Sequence, residues 1–216
     1  MFNSSISIKN FLSKKKSLSQ KKKFFKLFKS LINSENQILS SLDKSYKDVY
    51  TKKTISSLKN VGNVNLIGMG GSVLGAKAIY NFFEPKKKFN FIDNFSNLSF
   101  KQEYKKKINL IISKSGNTLE TISNSNTLID KKDKNIFITE NKKSYLMSLA
   151  NKLKAEVIHH NNFIGGRYSV LSEVGMLPAE LMGLKPKKFR RLNQLIQNKK
   201  FINSLIQGVS SILTFN

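Results

Sequence analysis

The segment Ser113-Lys114-Ser115-Gly116-Asn117-Thr118 sits between an apolar run, Ile108 to Ile112, and a helical pattern that starts at Thr118. A strand that empties into a helix start brings unpaired backbone N–H groups and a positive dipole end to one point. The hydroxyls of Ser113, Ser115 and Thr118 and the charge of Lys114 make that point suitable for a phosphate monoester. The same residues would also serve an ordinary hydroxyl N-cap.

A second loop, Gly68-Met69-Gly70-Gly71-Ser72-Val73-Leu74-Gly75, directly follows the apolar run Val64 to Ile67. A dinucleotide fingerprint would need glycine where Val73 stands, although Asp93 would suit a ribose contact. A P-loop would need lysine directly after Gly75, and the chain has Ala76. A Gly-Gly-Ser turn fits every residue: its amides and the Ser72 hydroxyl approach a phosphate, and Gly75 allows close helix–strand packing. The third constellation is Gly165-Gly166-Arg167-Tyr168-Ser169. Its glycines allow a sharp bend, and Arg167 supplies a planar, permanently charged fork in a chain that otherwise favours lysine. His159 and His160 are adjacent and would point apart in a strand, which disfavours a shared metal. Glu120, Glu140 and Glu173 are candidate bases without a partner visible in the sequence, and no cluster has metal-ligand spacing.

These loops need a scaffold. Apolar runs at 64–67, 89–92, 108–112, 135–138 and 155–158 alternate with helix-length segments. That alternation predicts right-handed βαβ units and an α/β three-layer αβα sandwich around a five-stranded parallel sheet. Ligands of such sheets bind beyond the carboxyl ends of the strands, where strand order reverses. Residues 1–60 carry helical patterns only: Phe24, Phe25, Phe28, Leu31 and Ile32 make one stripe, and Ile38, Leu42, Tyr46 and Val49 suggest a second helix that Ile55 and Leu58 close. Lysines 14–16 and 21–23 read as solvated faces. Val170, Val174, Leu177 and Leu181 predict a helix over 169–182, and an apolar helical face recurs from Lys187 to the last residue. The expected organisation is an N-terminal helical extension (1–60), a phosphate-binding domain (61–165) and an Arg-bearing loop with further helices (166–216).

The formal charge of +25 invites a nucleic-acid reading. All but three of the 38 basic residues are lysine, however, and the arginines are at 167, 190 and 191. Abundant lysine, asparagine, isoleucine and phenylalanine with no tryptophan point instead to A/T-rich coding, so no specific nucleic-acid partner is expected. The absence of cysteine excludes disulfides and thiolate metal sites and fits a reducing compartment. No apolar run reaches the ~18–20 residues of a membrane span, and no signal-peptide block opens the chain. A cytoplasmic protein without a membrane partner is expected.

Taken together, Gly68-x-Gly70-Gly71-Ser72-x-x-Gly75, then Ser113-Lys114-Ser115-Gly116-Asn117-Thr118-x-Glu120-Thr121, then Gly165-Gly166-Arg167-Tyr168-Ser169-x-x-Ser172-x-Val174-Gly175-x-Leu177-Pro178 resemble the glucose-6-phosphate isomerase family. The second string also resembles sugar-isomerase (SIS) domains generally, and the likeness covers residues 60–185. It implies a flavodoxin-like SIS fold and a metal-free, cofactor-free aldose–ketose isomerase that interconverts glucose 6-phosphate and fructose 6-phosphate in glycolysis and gluconeogenesis. By motif, Gly71, Ser72, Ser113, Lys114, Ser115 and Thr118 would hold the phosphate, with Gly70, Gly116, Glu120 and Gly166 supporting. Arg167 would stabilise the developing enediolate, and Glu120 would orient its loop.

The family often has an aromatic residue and a threonine where Gly116 and Asn117 stand. That difference keeps a bifunctional phosphoglucose/phosphomannose isomerase open, beside a non-catalytic SIS regulator that binds sugar phosphate. The resemblance implies a homodimer in the full-length form. It also implies that the proton-moving residues belong to a second SIS domain, with the present chain truncated before it.

Overall fold

The computed structural model describes residues 18–59, 62–95 and 107–213. Lysines 14–16 lie outside the described residues. Five apolar runs form the strands β1 (Asn63–Gly68), β2 (Lys88–Ile92), β3 (Lys107–Ile112), β4 (Lys134–Thr139) and β5 (Glu156–His159). They build one parallel sheet in the order β2-β1-β3-β4-β5. Each run lies within a residue or so of its predicted limits, because a strand covered on both faces must be apolar along its length.

The covering helices divide between the two faces. On one face α3 (Lys52–Leu58), α4 (Gly71–Phe83) and α7 (Glu173–Leu181) bury Leu58, Val73, Ala76 and Leu177 over Leu66, Leu110 and Ile136. On the other, α5 (Leu119–Leu128) and α6 (Tyr145–Leu153) cover Ile67, Ile111 and Phe137 with Ile122, Leu146 and Ala150. Each fully buried Leu, Ile, Val or Phe among them contributes about 1.5–3 kcal/mol relative to exposure. The sandwich is the expected three-layer one.

One row across this sheet is polar. Asn90, Asn65, Asn109 and Asn135 occupy matching register positions on β2, β1, β3 and β4. Asn90 Nδ2 donates to Asn65 Oδ1 at 3.0 Å, Asn65 Nδ2 to Asn109 Oδ1 at 2.9 Å, and Asn109 Nδ2 to Asn135 Oδ1 at 2.8 Å. A buried amide is tolerated only when bonded, and this ladder bonds each one to its neighbour.

Two helix expectations are corrected. The stretch from Ile38 to Leu58 is not one helix: α2 (Gln37–Ser40) stops after one turn, and α3 restarts at Lys52. Ser40 and Ser41 donate their hydroxyls back to the carbonyls of Gln37 and Ile38, the local competition by which serine interrupts helices. The helix expected over 169–182 is also divided. Gly166–Leu171 forms a 3-10 turn, and Ser172 then caps α7, its Oγ accepting the Val174 amide and donating to Ser169 O.

By compactness the chain separates into Ser45–Phe189, which holds the sheet, and a helical unit of residues before 45 with Arg190 onward. Residues 45–58 and 166–189 fall in the unit that holds the sheet. The sheet-bearing unit ends with α8 (Pro186–Phe189), and within the helical unit α1 (Leu18–Ile32) packs with α9 (Lys199–Leu213). Ile206 of α9 is buried, while Ile212 and Leu213 stay exposed. Arg190 is buried there and donates from Nε to Ser41 O at 3.1 Å.

Candidate functional site

Strand order reverses between β1 and β3: from β1 the chain crosses to β2 on one side, and from β3 to β4 on the other. The Gly68–Gly75 and Ser113–Thr118 loops leave the carboxyl ends of these two adjacent strands, where open α/β sheets bind ligands. Gly68 and Ile112 are register partners, and a Cβ on Gly68 would lie 2.8 Å from Ile112 O. The loops therefore start side by side.

In the first loop Gly70 takes φ +55° as the N-cap of α4 and, lacking a side chain, makes no cap bond. The amides of Gly70 and Gly71 find no acceptor among the described residues, and neither does the Ser72 hydroxyl. Asp93 is paired with Lys77 at 3.0 Å, which occupies the carboxylate that a ribose would have needed.

In the second loop Gly116 (φ +66°) allows a tight turn against α6; a Cβ there would fall 2.2 Å from Ser144 Oγ. Its amide donates to Ser113 O at 3.1 Å and Ser113 Oγ at 3.2 Å. Asn117 Oδ1 accepts the Tyr145 amide at 2.9 Å, tying the loop to the start of α6. Thr118, the N-cap of α5, is not an ordinary cap. Its hydroxyl meets Ser113 Oγ at 2.9 Å and Ser115 Oγ at 3.5 Å instead of the helix amides. The amides of Leu119, Glu120 and Thr121 therefore have no acceptor among the described residues.

The third constellation reaches the first. Gly71 packs so closely on Gly166 that a Cβ would lie 2.1 Å from Gly166 O. Ser169 Oγ donates to Gly166 O at 2.8 Å and lies 3.3 Å from Gly71 O. Val170 fills the notch left by Gly75, where a Cβ would stand 2.7 Å from its Cγ2. Arg167 follows this contact, exposed, with no hydrogen bond or carboxylate partner among the described residues. It differs in this from the buried, carbonyl-bound Arg190.

Some expected roles are altered by the geometry. Ser113 is buried, with its hydroxyl used inside the loop. Lys114 donates to Asn162 O at 2.7 Å and lies 3.4 Å from Glu140, which also pairs with Lys142. Burial pushes the Glu140 carboxyl up, but Lys142 and Lys114 outweigh it and hold it below the usual carboxylate value. Glu120 makes no bond that would orient its loop; an acid in the first turn of α5 still complements the helix dipole.

The partner of Glu173 was not visible in the sequence. His160 Nδ1 lies 2.5 Å from Glu173 Oε1, both residues buried. Burial raises the Glu173 carboxyl, but the His160 hydrogen bond, its own backbone amide, the His160 charge and the Asn161 amide together hold it below its ordinary value. The one available signal was an acid placed directly before the apolar stretch from Val174 to Ala179, in a chain with only two histidines. No cluster of His, Asp or Glu among the described residues could hold a metal, and no helix there is long and apolar enough to cross a membrane.

A family profile described as phosphoglucose isomerase matches residues 33–204. Among curated proteins, the glucose-6-phosphate isomerase of Methanocaldococcus jannaschii is 32% identical over 205 residues, covering 82% of this chain and 50% of the relative. That of Mycoplasma genitalium is 34% identical over 166 residues, covering 68% and 38%. The chain thus spans half or less of the length of these relatives. Among solved structures, a hypothetical protein from Thermus thermophilus shares the fold with a TM-score of 0.66 at 20% identity, covering 90% of this chain and 54% of that one.

Proposed function

The chain belongs to the phosphoglucose isomerase family, and on that premise we propose that it supplies the phosphate site and an enediolate-stabilising arginine for interconversion of glucose 6-phosphate and fructose 6-phosphate. The observation that carries this reading is the pair of open helix starts at the sheet's switch point. The free amides of Gly70 and Gly71 and those of the first turn of α5 offer donors to one anion. The hydroxyls of Ser72, Ser115 and Thr118 add ligands at the same rim, while Ser113 and Lys114 hold the loop in shape and lend it charge.

The isomerisation moves a proton from C2 to C1 and a second from the oxygen on C2 to the oxygen on C1. A base takes the proton from C2 of the open-chain aldose, negative charge gathers on the oxygens of the enediolate, and the proton returns at C1. Arg167 is exposed, unpaired among the described residues and held against the first loop, so its fork is free to meet that charge. A donor preorganised for developing charge is worth roughly 3–4 kcal/mol of barrier. Glu140 and Glu173 are both engaged inside the protein, so we assign proton transfer to groups outside these loops. The cytoplasmic setting, a homodimer and the lack of a specific nucleic-acid partner belong to the same proposal. A lysine-based charge predicts nucleic-acid binding that disappears as salt rises.

Titration of fructose 6-phosphate into the chain and into Ser115→Ala and Thr118→Val tests the cradle. Each variant should bind about tenfold more weakly, the scale of one lost hydrogen bond to a charged group. Equal affinity in all three would remove the second loop from the site. Measurable turnover by these 216 residues alone would overturn the assignment of proton transfer.

A further inference from the structure

We propose that the buried His160–Glu173 pair positions Arg167, by closing the loop that carries it into a ring fixed at both ends. His160 leaves the end of β5, its amide bonded to Thr139 O at 2.8 Å, and Glu173 opens α7. Between them the His160 ring is used twice: Nδ1 meets Glu173 Oε1 at 2.5 Å, and Nε2 meets Ile164 O at 3.0 Å. Glu173 Oε1 also accepts the Asn161 amide at 3.1 Å, and its Oε2 lies 3.4 Å from the Tyr46 hydroxyl. The pair therefore grips the loop at its first residues, at Ile164 and at the entry to α7.

Ile164 matters because Gly165 and Gly166 follow it. Glycines do not hold their own conformation, so the bond to Ile164 O fixes where this pair begins. From there Gly166 seats on Gly71, and Arg167 projects from that seat. The Arg167 side chain has no anchor of its own among the described residues. Its place is set by the backbone alone, which Gly71 meets at Gly166 and His160 holds at Ile164. Both ring nitrogens of His160 face oxygens inside the protein, Glu173 Oε1 and Ile164 O, and the residue is buried, so neither nitrogen is turned to a ligand. His160 is thus a positioning residue.

The inference rests on the isomerase reading for what Arg167 does, but not for where it sits, and the experiment separates the two. His160→Asn keeps a donor near the Nδ1 position and loses the bond to Ile164 O; Glu173→Gln keeps an acceptor and loses the charge. Hydrogen exchange read by mass spectrometry on the full chain should show amides of 161–168 opening about tenfold faster in His160→Asn, with β1 and β3 unchanged. Glu173→Gln, which retains the bonds, should fall nearer to the wild type. Unchanged exchange, or acceleration spread evenly over the sheet, would overturn the proposal.

In the second arm, inorganic phosphate and fructose 6-phosphate are titrated into His160→Asn, Arg167→Ala and the double variant. Phosphate affinity should not change in any of them. Fructose 6-phosphate affinity should fall about tenfold in each single variant and no further in the double, because the Arg167 fork also reaches the oxygens on C1 and C2 before reaction and His160 acts through Arg167. Additive losses would show a merely structural histidine and overturn the proposal. Wild-type protein that binds neither ligand would defeat the isomerase reading instead, leaving the exchange measurement to decide on His160.

Discussion

Helices α4 and α5 begin differently from α3, α6 and α7. At the start of α3, Thr51 Oγ1 accepts the Thr54 amide at 3.2 Å; at α6, Ser144 Oγ accepts the Met147 amide at 3.3 Å. Ser172 does the same for α7. These starts are closed: the side chain satisfies the orphan donors and stabilises the helix by about 1 kcal/mol. At α4 the cap is a glycine, and at α5 the threonine turns its hydroxyl to Ser113. Both open starts lie at the carboxyl ends of β1 and β3, at the switch point. At α5 the start is open although a capping threonine stands there, and this is the contrast on which the proposed anion site rests.

The largest effect should come from closing the contact behind the first open start. Gly71→Ala puts a methyl 2.1 Å from Gly166 O, so α4 and the Arg167 loop must part. We expect a stability loss of about 2 kcal/mol by urea denaturation and loss of fructose 6-phosphate binding. Gly62→Ala, where a Cβ meets nothing within 4 Å, is the control and should leave both unchanged.

A crossed pair of substitutions tests the comparison itself. Thr51→Ala removes a closed cap: it should cost about 1 kcal/mol and leave ligand affinity alone. Thr118→Val removes an open one, so affinity should fall with a stability loss below about 1 kcal/mol. If Thr118→Val destabilises as a cap does and binding survives, α5 is an ordinary helix start and the distinction fails.

The smallest effect is on pH dependence. Glu173 and Glu140 are both held below their ordinary carboxylate values in the folded protein, although burial opposes this. A depressed folded value gives stability that is present above the unfolded value and lost as pH falls through the folded one. Thermal unfolding of the wild type should therefore drop towards acid more steeply than that of Glu173→Gln. The Glu140→Gln difference should be smaller, since its lysine partners are half-exposed and the pairs are screened.

The sheet and the positions of the loops were legible in the sequence because apolar strands and glycine-bearing loops follow from local chemistry. Val64 to Ile67 and Ile108 to Ile112 could hardly be anything else. The loop that carries Arg167 was not legible in the same way. Its path depends on Gly71 meeting Gly166, on Val170 entering the notch at Gly75, and on His160 reaching Glu173. These contacts join separate segments, and periodicity carries no record of them. The same limit explains the helix expected over 169–182: the spacing of Val170 and Val174 is helical, but Val170 belongs to a turn folded over α4.

The asparagine ladder has a consequence for alignment at the other end of the sheet. With Asn65 set against Asn109, Gly68 must stand against Ile112, so the two strands end level. A slip of one residue would strand a buried amide among hydrocarbon and offset the strand ends by ~3.3 Å, more than the length of a hydrogen bond. The ladder thus acts as a ruler, by which two separately folded loops are cut to start at the same height.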